Sequence, residues 1–136
     1  METNLFVVPT THIHQFWHLA EPYLQNAIDT GSGEFTIDQL KQYAAYGSCV
    51  LFIILDEEQK CHGAITGQWT IYPNERVFYI TYLGGNGVMR AWDQLQSWVK
   101  SNGGTVIQGS TSKDSLVRLY QQLKLKPKYT LMEYKL

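Results

Sequence analysis

The residues best placed to do chemistry in this 136-residue chain are Gly84-Gly85-Asn86-Gly87. Each of them tolerates a positive φ. They stand between a stretch rich in β-branched and aromatic residues, Arg76–Leu83, and a run in which Val88, Trp92, Leu95, Trp98 and Val99 recur at helical spacing. A glycine-rich turn from strand to helix exposes backbone N–H groups at the positive end of the helix, and so suits a phosphate or another anion. The same turn also serves as a tight connection in an α/β sandwich. His14 and His18 stand four apart and could share a metal, with Glu21 the nearest further ligand. They equally fit the polar side of a helix whose apolar side holds Phe16 and Trp17. Cys49 and Cys61 flank a hairpin and read as small buried apolar residues. The chain has no Cys-x-x-Cys pair, which argues against structural zinc.

The elements that must position these groups follow from the pattern around them. Leu5–Val8 reads as a strand ended by Pro9. Thr10 or Thr11 would cap a helix carrying Ile13, Phe16, Trp17 and Ala20 on one face. Pro22 either interrupts that helix or opens a second one. Thr36 with Gln39 forms a capping box that predicts a helix from Ile37 to Tyr46, stopped by Gly47. Cys49–Leu55 is apolar throughout, as in a central strand covered on both faces. Cys61–Tyr72 and Arg76–Leu83 continue it as an antiparallel meander. After the long helix, Asn102-Gly103-Gly104 is a helix stop and Thr105–Gln108 a short strand. A helix capped within Ser110–Ser112 runs to Leu123, with Leu116, Leu119, Tyr120 and Leu123 facing inward. Lys128–Leu136 alternates and reads as a last strand. The expected order is β–α–α–β–β–β–α–β–α–β, in a single domain spanning residues 1–136.

Composition narrows the partners. With 44% hydrophobic and 17% charged residues the chain is globular rather than disordered. The longest apolar run, Cys49–Leu55, is too short to span a bilayer, and residues 1–11 lack the features of a signal peptide. A cytoplasmic protein with no membrane partner is expected. The net charge is −1 but uneven: acids dominate residues 1–62, and Lys113, Arg118, Lys124, Lys126, Lys128 and Lys135 make residues 112–136 basic. The basic part suits an anionic ligand. Nucleic acid is not expected, because the excess is small and no aromatics are set out to stack. Four Trp and nine Tyr fill a core or, where exposed, anchor a protein interface.

Taken together, the chain resembles a Gcn5-related N-acetyltransferase (GNAT) domain. The element order matches over nearly the whole length, and the second half resembles the acetyl-CoA-binding core. The resemblance implies an α/β (α+β) fold with a mixed, mostly antiparallel sheet, a splay between the fourth and fifth strands, and helices on both faces. It places the cofactor's pantetheine in the splay and its pyrophosphate on backbone amides of Gly84, Gly85, Asn86, Gly87, Val88 and Met89. The segment LVRLY, Leu116–Tyr120, resembles the family's late helix, which puts Tyr120 where a hydroxyl can protonate the leaving thiolate. GGNGVMR departs from the family signature Gln/Arg-x-x-Gly-x-Gly/Ala. Lys124-Leu125 stands where Gly-Phe is usual. The chain is similar in this to short GNAT-like proteins of tailed bacteriophages. An acetyltransferase of this kind takes an amine acceptor, a small molecule or a protein, and needs a route for the amine's proton. Glu34, Glu75, Tyr79 and Tyr82 are the residues considered for that task. The alternative is a protein of the same fold without catalysis that works as a binding or structural component, of a bacteriophage particle or in a contact with a host protein, in which side chains would fill the splay.

Overall fold

The computed structural model describes residues 2–136. Along the chain run β1 (Thr3–Val8), α1 (Ile13–Asp29), α2 (Ile37–Ala45), β2 (Val50–Asp56), β3 (Cys61–Ile71), β4 (Arg76–Gly85), α3 (Val88–Ser101), β5 (Val106–Gly109) and α4 (Asp114–Gln122). The strands form one sheet in the order β1-β2-β3-β4-β5, antiparallel except for the parallel pair β4–β5.

Strand β2 shows why helices cover both faces. Its side chains alternate between two apolar layers. Leu51, Ile53 and Leu55 pack with Trp17, Leu24 and Leu40 of α1 and α2. Phe52 and Ile54 pack toward α3 and α4, with Phe78, Leu95, Val99 and Leu123. Burying each such side chain contributes roughly 1.5–3 kcal/mol, so a strand apolar on both faces is held by both layers at once. Phe52, Trp69, Phe78 and Trp98 meet ring against ring, with Trp98 4.9 Å from Phe52 and 5.8 Å from Trp69. The Arg76 guanidinium lies over Trp69 at 4.0 Å. These tryptophans are committed to the core layer, and Trp17 is buried.

The capping box of α2 is formed. The Gln39 N–H donates to Thr36 Oγ1 at 3.2 Å, and the Thr36 N–H donates to Gln39 Oε1 at 2.9 Å. Helix α1 passes through Pro22 as one element of 17 residues. Thr10 and Thr11 do not cap it: they lie in a short 3₁₀ turn, Thr10–His12, and Thr11 Oγ1 bonds to His12 Nδ1 instead. Nor do Ser110–Ser112 cap α4, which starts after Lys113; Thr111 Oγ1 accepts from the Lys113 N–H and shapes the approach. Cys49 and Cys61 are both free, and the register separates them, since Val50 pairs with Gly67 and Leu55 with Cys61. Burial pushes the Cys49 thiol up to about 12.

The expected last strand, Lys128–Leu136, is absent: residues 125–136 have no regular structure and the sheet ends at β5. Strand-like alternation supplies no hydrogen-bond partner by itself. At the start of this segment, Lys128 Nζ lies 3.9 Å from Glu75 in the β3–β4 turn. Up to that point the chain is fixed. Lys124 takes φ +73°, the Leu125 N–H donates to the Tyr120 carbonyl at 2.9 Å, and Leu125 packs on the core. Lys124 thus adopts the left-handed conformation that usually selects glycine after a helix.

Candidate functional site

Pairing between β4 and β5 covers only Val77–Ile80 against Val106–Gly109. Strand β4 then runs on to Gly85 without a β5 partner, and this unpaired length of β4, the wedge, begins where β5 ends. Thr81, Tyr82, Leu83 and Gly84 stay partly open to solvent along it. A bulge lies at the apex: Thr66 pairs with Tyr82 but Gly67 pairs with Ile80, which leaves Thr81 as the extra residue. The Thr81 hydroxyl bonds to Thr66 Oγ1 at 2.6 Å. Such a bulge resets the in/out alternation of a strand and is common beside active sites. Here Phe78, Ile80 and Leu83 face α3 and α4, whereas Tyr82 faces α1.

At the apex stands Tyr120. It is buried on α4, and a Cβ on Gly109 would come within 2.6 Å of its hydroxyl oxygen. Only glycine at the end of β5 leaves that oxygen room. Burial, and secondarily Tyr79, push the Tyr120 phenol up from its ordinary value, so it stays protonated. Tyr79 bonds through its hydroxyl to Ser110. Tyr82 is also raised, first by burial and then by the Glu34 carboxylate, while the Phe35 backbone hydrogen-bonds to it and acts the other way. Glu34 therefore reaches the wedge electrostatically from the α1–α2 loop. Glu75 does not, since it sits at the opposite end of β4.

The mouth of the wedge is the glycine turn. Gly84 packs under α1, and a Cβ there would strike the Tyr23 carbonyl oxygen at 2.3 Å. The Asn86 N–H is taken by the His62 carbonyl at 2.8 Å. Gly87 caps α3 with φ +94° and offers no side-chain cap, so the N–H groups of Val88 and Met89, in the first turn, point out of the helix. The six residues Gly84–Met89 thus divide: the earlier ones shape the turn and the later ones present donors.

A pair that pattern reading missed stands beside them. His62 Nε2 lies 2.8 Å from Asp56 Oδ2, and Asp56 Oδ1 accepts from the Glu58 and Lys60 N–H groups at 2.8 and 3.0 Å. The His62 hydrogen bond, then that from Lys60, holds the Asp56 carboxyl below its ordinary value. His62 lines a groove of about 480 Å³ together with Thr3, Gly85–Arg90 and Leu119. No carboxylate lines that groove, and its ionisable side chains, His62 and Arg90, are both bases. His14 and His18 are exposed on α1, away from the groove.

No protein-family model matches the chain, and no curated protein matches it in sequence. Solved structures match it by fold. An aminoglycoside acetyltransferase, meta-AAC0020, from an uncultured soil metagenomic sample in complex with trehalose is 15% identical, with 98% of this chain and 96% of that chain covered and a TM-score of 0.72. AAC(6')-Iy in complex with the bisubstrate analog CoA-S-monomethyl-acetylneamine is 14% identical, with 99% and 98% covered and a TM-score of 0.69. A protein described as a probable acetyltransferase is 16% identical, with 100% and 97% covered and a TM-score of 0.68. The fold is that of Gcn5-related N-acetyltransferases. Among the described residues no helix is long and apolar enough to cross a membrane.

Proposed function

We propose that the protein transfers an acetyl group from acetyl-CoA to an amine. The observation that carries this reading is the length of β4 left unpaired beyond β5, with a buried, protonated tyrosine at one end and, at the other, a groove lined by His62 and Arg90 at an uncapped helix start. That arrangement suits a long ligand with a thioester at one end and phosphates at the other. The solved complexes of AAC(6')-Iy with CoA and with a CoA-containing analog support the same reading by fold analogy.

In this reading the Val88 and Met89 amides hold the pyrophosphate, and Gly84, Gly85, Asn86 and Gly87 bring the backbone close to it. His62, held at Nε2 by Asp56, donates to a phosphate only through Nδ1 and only as the imidazolium. The acceptor enters beside Glu34 and Tyr82, where a carboxylate favours an ammonium group. The amine loses a proton to Glu34 or to solvent, and its nitrogen attacks the thioester carbonyl. A C–N bond forms and the C–S bond breaks. The sulfur leaves as thiolate and takes one proton to become the CoA thiol; the nitrogen, which enters as ammonium, loses two, one before attack and one as the amide forms, so one proton is released to solvent. Tyr120 donates a hydrogen bond to that sulfur. Its raised affinity for the proton keeps the donor in place and makes complete transfer depend on proton return from solvent.

Thiol release from acetyl-CoA tests this against a panel of aminoglycosides, polyamines, amino acids and lysine peptides. The reading predicts release with at least one amine class and loss of it in Tyr120→Phe. Hydrolysis at the background rate across the whole panel would overturn it.

A further inference from the structure

The α1 side of the wedge is walled by aromatic rings. The bulge at Thr81 turns Tyr82 to that side, where Phe35 comes in from the loop between α1 and α2. Phe35 stands nearly perpendicular to Tyr82 and to Tyr43, at 83° and 84°, with ring centroids 6.1 and 4.8 Å away. The Tyr82 ring also lies at the end of α1. A Cβ on Gly31 would come to 3.6 Å from its Cε1, and to 3.3 and 3.5 Å from the Ala27 and Ile28 carbonyl oxygens. Phe35 and Tyr82 are half-buried and Tyr43 is exposed, so solvent reaches this wall.

The charge beside the wall is one carboxylate. Burial, and then the Glu34 carboxylate, strengthen the hold of the Tyr82 phenol on its proton. The carbonyl end of α1 adds partial negative charge in the same place. Asp29 is turned to the Gln25 amide at 2.8 Å, and Asp38 stands in the first turn of α2, where the positive end of that helix holds it. No basic residue occurs between Asp29 and Asp38. Aromatic rings and a carboxylate attract one ammonium ion. They do not suit a polycation. A second or third ammonium group would rest on Phe35, Tyr43 or Tyr82 with no carboxylate to pair it, and its lost hydration would not be replaced. An apolar or aromatic body, by contrast, gains by covering the same rings.

We infer that the acceptor is a monoamine, with one primary ammonium group held between Glu34 and Tyr82 and an apolar or aromatic body laid against Phe35 and Tyr43. The inference rests on the acetyl-transfer reading and names the substrate class for it. It sets the acceptor apart from aminoglycosides and polyamines, whose several ammonium groups call for several carboxylates.

Binding and turnover test it separately. Calorimetry with CoA present compares 2-phenylethylamine with 2-phenylethanol, which keeps the body without the charge, and with spermine, which has charge without a ring. The amine should bind about tenfold tighter than either. Glu34 is exposed, so Glu34→Gln leaves the fold alone; it should weaken the amine about three- to fivefold and leave 2-phenylethanol unmoved. Tyr82→Leu should weaken the amine about three- to tenfold. In thiol release from acetyl-CoA, kcat/KM should be about tenfold or more higher for 2-phenylethylamine than for spermine or kanamycin. Faster release with spermine or kanamycin would overturn the inference and leave acetyl transfer standing. So would binding of 2-phenylethylamine that is no tighter than that of 2-phenylethanol, or that is unmoved by Glu34→Gln. Selective binding of the amine with no thiol release from any amine would overturn acetyl transfer and keep the amine site.

Discussion

The two ends of the wedge are built by opposite means. At the mouth the donors are backbone N–H groups of Val88 and Met89, in an exposed turn, supported by one imidazole that a carboxylate holds. At the apex the donor is a buried side chain, fixed by a glycine contact and the packing of α4. Backbone donors are anchored by the helix that carries them, so nearby side chains can vary without losing them. A buried hydroxyl depends on one residue type at one position. The mouth therefore has many sequences that would serve it and the apex has few. On the proposed reading, this is how the mouth can depart from the glycine signature while the apex keeps a tyrosine.

That contrast can be broken at the apex first. Tyr120→Phe keeps the ring and removes the hydroxyl. Turnover should fall about 100-fold or more, while the KM for acetyl-CoA stays within about threefold. Steady-state thiol release separates the two constants. An equal fall in affinity would move Tyr120 from the chemical step to binding.

The mouth should respond in the other sense. Met89 is exposed in the first turn of α3, so Met89→Glu adds a negative charge where the helix welcomes it. Stability should rise by about 0.3–1 kcal/mol, while acetyl-CoA binding weakens about tenfold by repulsion of the phosphates. Urea unfolding and calorimetry read the two effects. Binding and stability moving together would place the phosphates elsewhere.

A smaller effect is expected at the pair that supports the mouth. His62→Ala should weaken acetyl-CoA binding about three- to tenfold and leave kcat nearly unchanged. The same pair gives a pH signature. The Asp56 carboxyl titrates below its unfolded value, so its contribution to stability is present above the ordinary carboxylate range and is lost as pH falls through the folded-state value. Asp56→Asn should flatten that acid limb of the unfolding midpoint against pH. An unchanged limb would show that other carboxylates carry it.

The smallest change should touch neither end. Lys124 sits at φ +73° after α4, so Lys124→Gly should stabilise the fold by about 1 kcal/mol with kcat and KM unaltered. Chemical denaturation checks the first part and the thiol assay the second.

Much of the scaffold was legible because local chemistry and tertiary role agreed. Thr36 and Gln39 are a sufficient cap in isolation, and the apolar run of β2 has no other use than burial on both faces. What was not legible depended on pairing across the sheet. His62 and Asp56 flank an ordinary polar turn, and only the shifted register between β2 and β3 brings the imidazole onto the carboxylate. Their places on either side of a short hairpin turn were the signal that would have found them. The bulge at Thr81 has no glycine or proline beside it on its own strand to announce it, so alternation along β4 does not reveal that Tyr82 turns to α1. Residues 128–136 were read as a strand from alternation alone, which specifies a face but not a partner.

The most direct measurement is calorimetric titration of the purified protein with acetyl-CoA, with desulfo-CoA as the control for the sulfur. The account predicts saturable binding on the order of micromolar to tens of micromolar, weakened about tenfold by Met89→Glu and little changed by Tyr120→Phe. Absence of heat and of any thermal shift at millimolar acetyl-CoA would contradict it, and would leave the wedge as a feature of the fold without a CoA ligand.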